Sequence, residues 1–202
     1  MALNSDIPSW VLVRFRDVRY IDGIRSIPRL LPRGELDGRL TKPIDFQFLM
    51  SFWGIYPSSL GPLIPAILLT IAGAAEIGGS DLGLKIPVYL LLLGLGLIVH
   101  YSLSIFFTAF SFVVTRIEDI QWLDSGLRDL GAKPIDIYPK FIKYIFFTVL
   151  PIAFYANVPV WVFRNNFNSL WVVYTFAFAG FALWASRQFF YHCLRRYNSA
   201  SS

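Results

Sequence analysis

Apolar residues along this chain gather into four long runs separated by polar, turn-rich segments. Run length decides what they can form, because a helix needs about 20 mainly apolar residues to cross a hydrocarbon core of about 30 Å. The first run, about Ser59 to Ala75 ("SLGPLIPAILLTIAGAA"), has Ser58 and Ser59 as candidate caps and Pro62 and Pro65 near its start. The second, Ile86 to Val114, carries no formal charge if His100 is neutral. At a rise of about 1.5 Å per residue it would be about 43 Å long, so it must tilt or protrude. The third, about Tyr144 to Phe163, contains Pro151 and Pro159, which remove backbone donors and predict a kinked or broken helix. The fourth, about Leu170 to Phe190, begins near Trp171, carries Trp184 and runs into the basic "CLRRY". The pattern predicts an all-α polytopic membrane helix bundle: four transmembrane helices (about 59–75, 86–114, 144–163 and 170–190) with amphipathic helices on the cytoplasmic side. Residues 1–56 are read as a cytoplasmic or interfacial segment and 57–202 as the transmembrane region.

Orientation follows from where the cations sit. Arg14, Arg16, Arg19, Arg25, Arg29, Arg33, Arg39 and Lys42 precede the first run; Arg116, Arg128, Lys133, Lys140 and Lys143 lie between the second and third; Arg195 and Arg196 follow the fourth. The other two loops hold only Lys85 and Arg164, so the positive-inside rule places both termini in the cytoplasm of a multi-pass inner-membrane protein. This distribution also changes the meaning of the +5 formal charge: the cations edge apolar segments, which suits membrane orientation and not nucleic acid. A hydrophobic content of 55% and a mean hydropathy of +0.55 agree with a membrane chain. The lone Cys193 has no partner for an internal disulfide. Met1 to Pro8 is largely polar and "WVLV" is too short for a signal-peptide core, so insertion is expected to use the internal runs.

Small residues spaced four apart allow helices to approach in lipid. Ala66, Thr70 and Ala74 form such a row in the first run, and Thr175 with Ala179, then Ala182 with Ser186, in the fourth. Gly94 and Gly96 lie inside an apolar helix, not in the strand–loop–helix setting of a nucleotide-binding glycine loop. His100 is the candidate intramembrane polar site; a hydrogen-bonded packing histidine is the plainer reading, since no span supplies an acidic partner.

The polar segments carry short patterns. Arginines are interspersed with Trp10, Phe15 and Tyr20, which suits an interfacial segment contacting membrane lipids or, equally, a solvated basic tail. In "RGELDGRLTKP", Gly34 and Pro43 bracket a short helix, with Glu35 and Asp37 at its positive end, Arg39 and Lys42 at its negative end, and Leu36 and Leu40 on one apolar face that could dock on another protein. "KPID" occurs at Lys42 to Asp45 and again at Lys133 to Asp136, boundary chemistry shared by both loops. In "EDIQWLDSGLRDLG", Ile120, Leu123, Leu127 and Leu130 fall on one helical face, which suits a piece lying along the inner membrane surface.

Taken in order, "RSIPRLLPRGELDGRLTKPIDFQFL", "YSLSIFFTAFSFVV", "AKPIDIYP" and "TVLPIAFYANVP" resemble the ABC-2 type transporter permeases, in the six-span branch whose cytoplasmic loop reads "GELD...L.KP.D". The resemblance runs from about Ile24 to the end of the fourth span. It implies a permease subunit of an ATP-driven exporter, paired with a second, identical or related, permease subunit. In that family the loop is the coupling element against a separate ATPase, which here falls on Gly34, Glu35, Leu36, Asp37, Leu40, Lys42 and Pro43. ATP and magnesium then belong to the partner ATPase, and this chain, without a "GxxxxGK[ST]" loop, is expected to carry no cofactor and no catalytic residue. Family members usually carry two further spans ahead of the loop, whereas only a short polar and basic segment precedes it here, so the resemblance implies a chain short of two spans.

The alternatives are an integral-membrane lipid-modifying enzyme and a non-transporting membrane assembly subunit. For the enzyme, Asp22, Asp37 and Asp45 would have to hold a metal, yet they lie in a basic stretch without dense ligand spacing, so no metal site is expected.

Overall fold

The computed structural model describes residues 22–31, 33–53, 82–113, 135–163 and 167–196, with positions 64, 67–68, 71–73, 126 and 130. The regular elements among them are helical: α1 (Asp22–Leu30), α2 (Asp37–Leu40), α3 (Phe46–Phe52), α4 (Leu82–Phe110), α5 (Lys140–Thr148), α6 (Ile152–Ala156) and α7 (Leu170–Leu194), with 3-10 turns at Ile135–Ile137 and Pro159–Phe163. The expected all-α class holds. Trp10, Phe15 and Tyr20, the row Ala66–Thr70–Ala74, and Ile120, Leu123 and Leu127 lie outside the described residues.

Among the described residues two helices, Gly83–Phe110 and Leu170–Leu194, are long and apolar enough to cross a membrane. α4 begins at Leu82 where the apolar pattern predicts Ile86, because one lysine in a first turn does not stop a helix and Pro87 falls early enough to disturb little beyond a single backbone bond. Its end is marked by the Ser111 hydroxyl, which donates to the Thr108 carbonyl at 2.6 Å.

α4 is the central element, flanked by α7, by α6 with its 3-10 turn, and by α1. Leu92, Leu95 and Val99 share a buried cluster with Ala179 of α7, while Phe106 and Phe110 meet Phe189 at 4.7 and 5.2 Å. The two long helices therefore run parallel, start beside start. The small residues of α7 make this possible: Thr175, Ala179 and Ser186 are buried, and the larger Val173, Phe176, Phe181 and Trp184 point outward.

The third apolar run is broken, as its prolines predict. α5 stops ahead of Pro151, α6 follows for one turn, and a 3-10 turn opens at Pro159. The amide of Val158 reaches back to the Ala153 carbonyl at 3.0 Å, and the buried Asn157 carboxamide accepts from the Ile135 amide at 3.0 Å, so the interrupted ladder leaves these groups satisfied. α6 lies so close to α4 that a Cβ on Gly96 would stand 2.7 Å from the Tyr155 Cα, while one on Gly94 would meet nothing within 4 Å. The glycine pair thus has one packing member.

That asymmetry gives a direct test. Gly96→Ala is expected to destabilise by about 1–3 kcal/mol through overpacking against backbone. Gly94→Ala should leave the thermal midpoint of the detergent-solubilised protein unchanged or raised, and equal midpoints for the two variants would contradict the close approach.

Candidate functional site

The Gly34–Pro43 turn begins where α1 ends. Ile24, Ile27, Leu30 and Leu31 repeat at helical spacing and turn inward, which fixes α1 against Ile105 and Ala109 of α4 and Phe190 and Cys193 of α7. The Gly34 amide then donates to the Leu31 carbonyl at 3.3 Å, and Gly34 takes φ +66°, a conformation open to glycine at little cost. One helical turn, α2, follows; a helix this short has no stability of its own.

Burial holds it. Leu36 is 0% exposed inside the α1–α4–α7 cluster, and Leu40 packs partly against the same residues. The apolar face that could have docked on another protein is therefore occupied by this chain. What remains outward is Glu35, beside Arg33 at 3.9 Å, together with Gly38, Thr41 and Pro43. Arg39 and Lys42 lie over the Trp53 ring at 4.8 and 4.9 Å, and an Arg39 Nη lies 3.6 Å from the Met50 sulfur.

Past Pro43 the chain is pinned to both long helices. Asp45 caps α3 by accepting from the Phe48 amide at 2.9 Å, and its other oxygen accepts from Arg187 of α7 at 2.5 Å. The Tyr191 hydroxyl of α7 accepts from the Gln47 amide at 3.5 Å. The Gln47 carboxamide donates to the Tyr101 hydroxyl of α4 at 3.3 Å, and Ser51 shares a hydrogen bond with that hydroxyl at 2.5 Å. Partial burial pushes the Asp45 carboxyl up, but the Phe48 amide, the Tyr191 hydroxyl and the Arg187 guanidinium together outweigh it and hold the group below its ordinary value.

One turn away, His100 is 3% exposed, its Nε2 is 3.5 Å from an Arg25 Nη, and its ring lies 4.9 Å from that of Tyr155. A guanidinium can only donate, so a hydrogen bond here has Nε2 as its acceptor. The histidine that sequence reading places alone in a span meets a cation from α1.

These contacts form one level. From Leu82 to Tyr101, α4 covers about 30 Å at 1.5 Å per residue, the thickness of a hydrocarbon core. Beyond that point Ser102, Ser104, Thr108 and Ser111 are buried, and α1 packs against α4. Sequence reading gave Gln47, Tyr101 and Tyr191 no role, had Arg25 only among the orienting cations, and had Asp45 in the KPID boundary motif and as a discounted metal ligand. Their partners on other helices lie 50 to 144 positions away, so no local pattern marks them. Among the described residues no group of three His, Cys, Asp or Glu could hold a metal ion.

The match of a transporter family profile, together with two apolar helices of membrane-spanning length among the described residues, makes the chain a membrane component of permease type. The chain belongs to the ABC-2 family transporter proteins, whose family profile matches residues 7–201. Searches of the curated proteins and of the solved structures give no match.

The two roles of Asp45 separate by substitution. Asp45→Ala loses cap and ion pair and is expected to lower hydrogen-exchange protection of the Phe48 amide by about 0.5–2 kcal/mol. Asp45→Asn keeps the cap and loses only an exposed pair worth about 0–1 kcal/mol. Because the fold makes this carboxyl easier to ionise, its contribution is complete above the unfolded-chain value and fades as pH falls through the lowered folded value. Wild-type protection should drop to the Asp45→Asn level across that acid range, while Asp45→Asn itself shows no step.

Proposed function

We propose that this chain is the membrane-spanning permease subunit of an ATP-driven ABC-2 type exporter, and that a separate ATPase subunit drives it by pressing on the Gly34–Pro43 turn from the cytoplasm. The reading pairs the chain with a second permease subunit, places ATP and magnesium on the ATPase, and puts both termini in the cytoplasm by the distribution of lysine and arginine. The crossings are then the runs at about 59–75, 86–114, 144–163 and 170–190, behind a cytoplasmic segment of residues 1–56.

One observation carries the proposal: the turn is fastened at both edges to the helices that would have to move. Leu36 and Leu40 anchor it to the cluster of α1, α4 and α7, and Asp45, Gln47 and Ser51 tie the following helix to Arg187, Tyr191 and Tyr101. A displacement of the turn is then shared by α4 and α7 as a rigid body, the kind of motion by which a nucleotide cycle in one subunit re-aims helices in another. The seven residues divide their labour in this reading. Gly34 sets the entry, Glu35, Asp37 and Pro43 meet the partner, Leu36 and Leu40 hold the turn from beneath, and Lys42 braces it on Trp53.

Glu35→Lys alters only the outward surface, so insertion and thermal midpoint should be unchanged while stimulation of the ATPase on co-reconstitution falls at least several-fold. Leu36→Ala instead removes a buried side chain, which is expected to cost about 2–5 kcal/mol, and lowers both stability and stimulation. Full ATPase co-purification and stimulation with Glu35→Lys combined with Asp37→Lys would remove the turn from the coupling surface.

A further inference from the structure

α3 turns its polar side chains inward and exposes two of its aromatic rings. Its sequence, "FQFLMSF", has no charged residue, and its polar side chains face the protein: Gln47 is 4% exposed, and both Gln47 and Ser51 reach Tyr101. Phe46 and Met50 also turn inward, but two aromatic groups face away. Phe48 and Phe52 are 59% and 62% exposed and lie against each other, ring centroids 4.7 Å apart, with Ile44 and Trp53 exposed at either end of the helix. In water this arrangement would be unfavourable, since contiguous apolar surface marks a site that something apolar covers.

The height of the patch says what that is. Asp45, the cap of this element, is paired with Arg187, and on α7 the outward apolar face that includes Phe181 and Trp184 ends just before that arginine. Arg187 keeps half its side chain exposed, as a cation does where hydrocarbon gives way to head groups. Phe48, Phe52 and Trp53 stand at the same boundary, where aromatic rings collect in membrane proteins. Arg39 and Lys42 rest on the Trp53 ring and place two cations at the rim of the patch, complementary to lipid phosphates.

We propose that the outward face of α3, with Arg39 and Lys42, is a binding surface for an anionic lipid leaflet, the rings lying among the upper acyl chains and the two cations against head-group phosphates. This surface does not depend on the ATPase reading. It gives the turn a second support, from the bilayer.

The test uses the full chain with the buried Cys193 replaced by alanine, carrying a nitroxide on cysteine at position 48, 52 or, as a control, the exposed Thr41. In vesicles of phosphatidylcholine with phosphatidylglycerol, the labels at 48 and 52 are expected to be relaxed by oxygen and shielded from a water-soluble nickel chelate, and the label at 41 the reverse. Omitting phosphatidylglycerol, or combining Arg39→Gln with Lys42→Gln, should restore nickel access at 48. Nickel access equal to that at 41 overturns the proposal. So does dipolar broadening between labels at 48, which would show a second copy on this face, or shielding that appears only when an ATPase subunit is added. Shielding indifferent to both phosphatidylglycerol and the two cations overturns the anionic specificity.

Discussion

Close approach to α4 is the constraint from which the other packing follows. In a lipid-embedded bundle, association comes from contact between surfaces and not from escape from water, so a helix can be central only if its neighbours come near. Gly96 admits the backbone of α6, and the small residues of α7 admit α4 along most of its length. A broken helix is an asset here: the prolines that interrupt the third apolar run let α6 lie against Gly96, with Asn157 and the Val158 amide satisfying groups that the break would orphan.

A second organising feature is the change of chemistry along α4. Up to Val99 its buried positions are mainly aliphatic, apart from Tyr89; from His100 onward hydroxyls and an imidazole enter, each needing a partner once buried. Side chains of α1 and α3 supply several, through Arg25, Gln47 and Ser51. The segment ahead of the spans is thus part of the bundle's end, and it meets α4 and α7 through an apolar cluster as well as through the polar contacts of Arg25, Asp45, Gln47 and Ser51.

In the coupling role proposed above, such an attachment would transmit movement. The Gly34–Pro43 turn has an apolar underside taken up by its own chain and an outward side that exposes Glu35, while the next helix turns two aromatic rings outward. A partner pressing from one direction and a leaflet supporting from another would define the axis about which the assembly tilts.

The chain's own order of residues already determined the helical class, two of the membrane-length helices, the break in the third run, the inward row on α7 and the charged turn, because each is written in local spacing: run length, a proline, small residues four apart. Tertiary structure alone decided which side of each element counts. Leu36 turns inward, Gly96 and not Gly94 meets a neighbour, His100 faces a cation, and Asp45 serves as cap and ion-pair partner to a residue 142 positions away. Periodicity fixes a face on one helix, but the neighbour of that face is chosen only when the other helices pack, and contacts across such separations leave no trace in any short window of sequence.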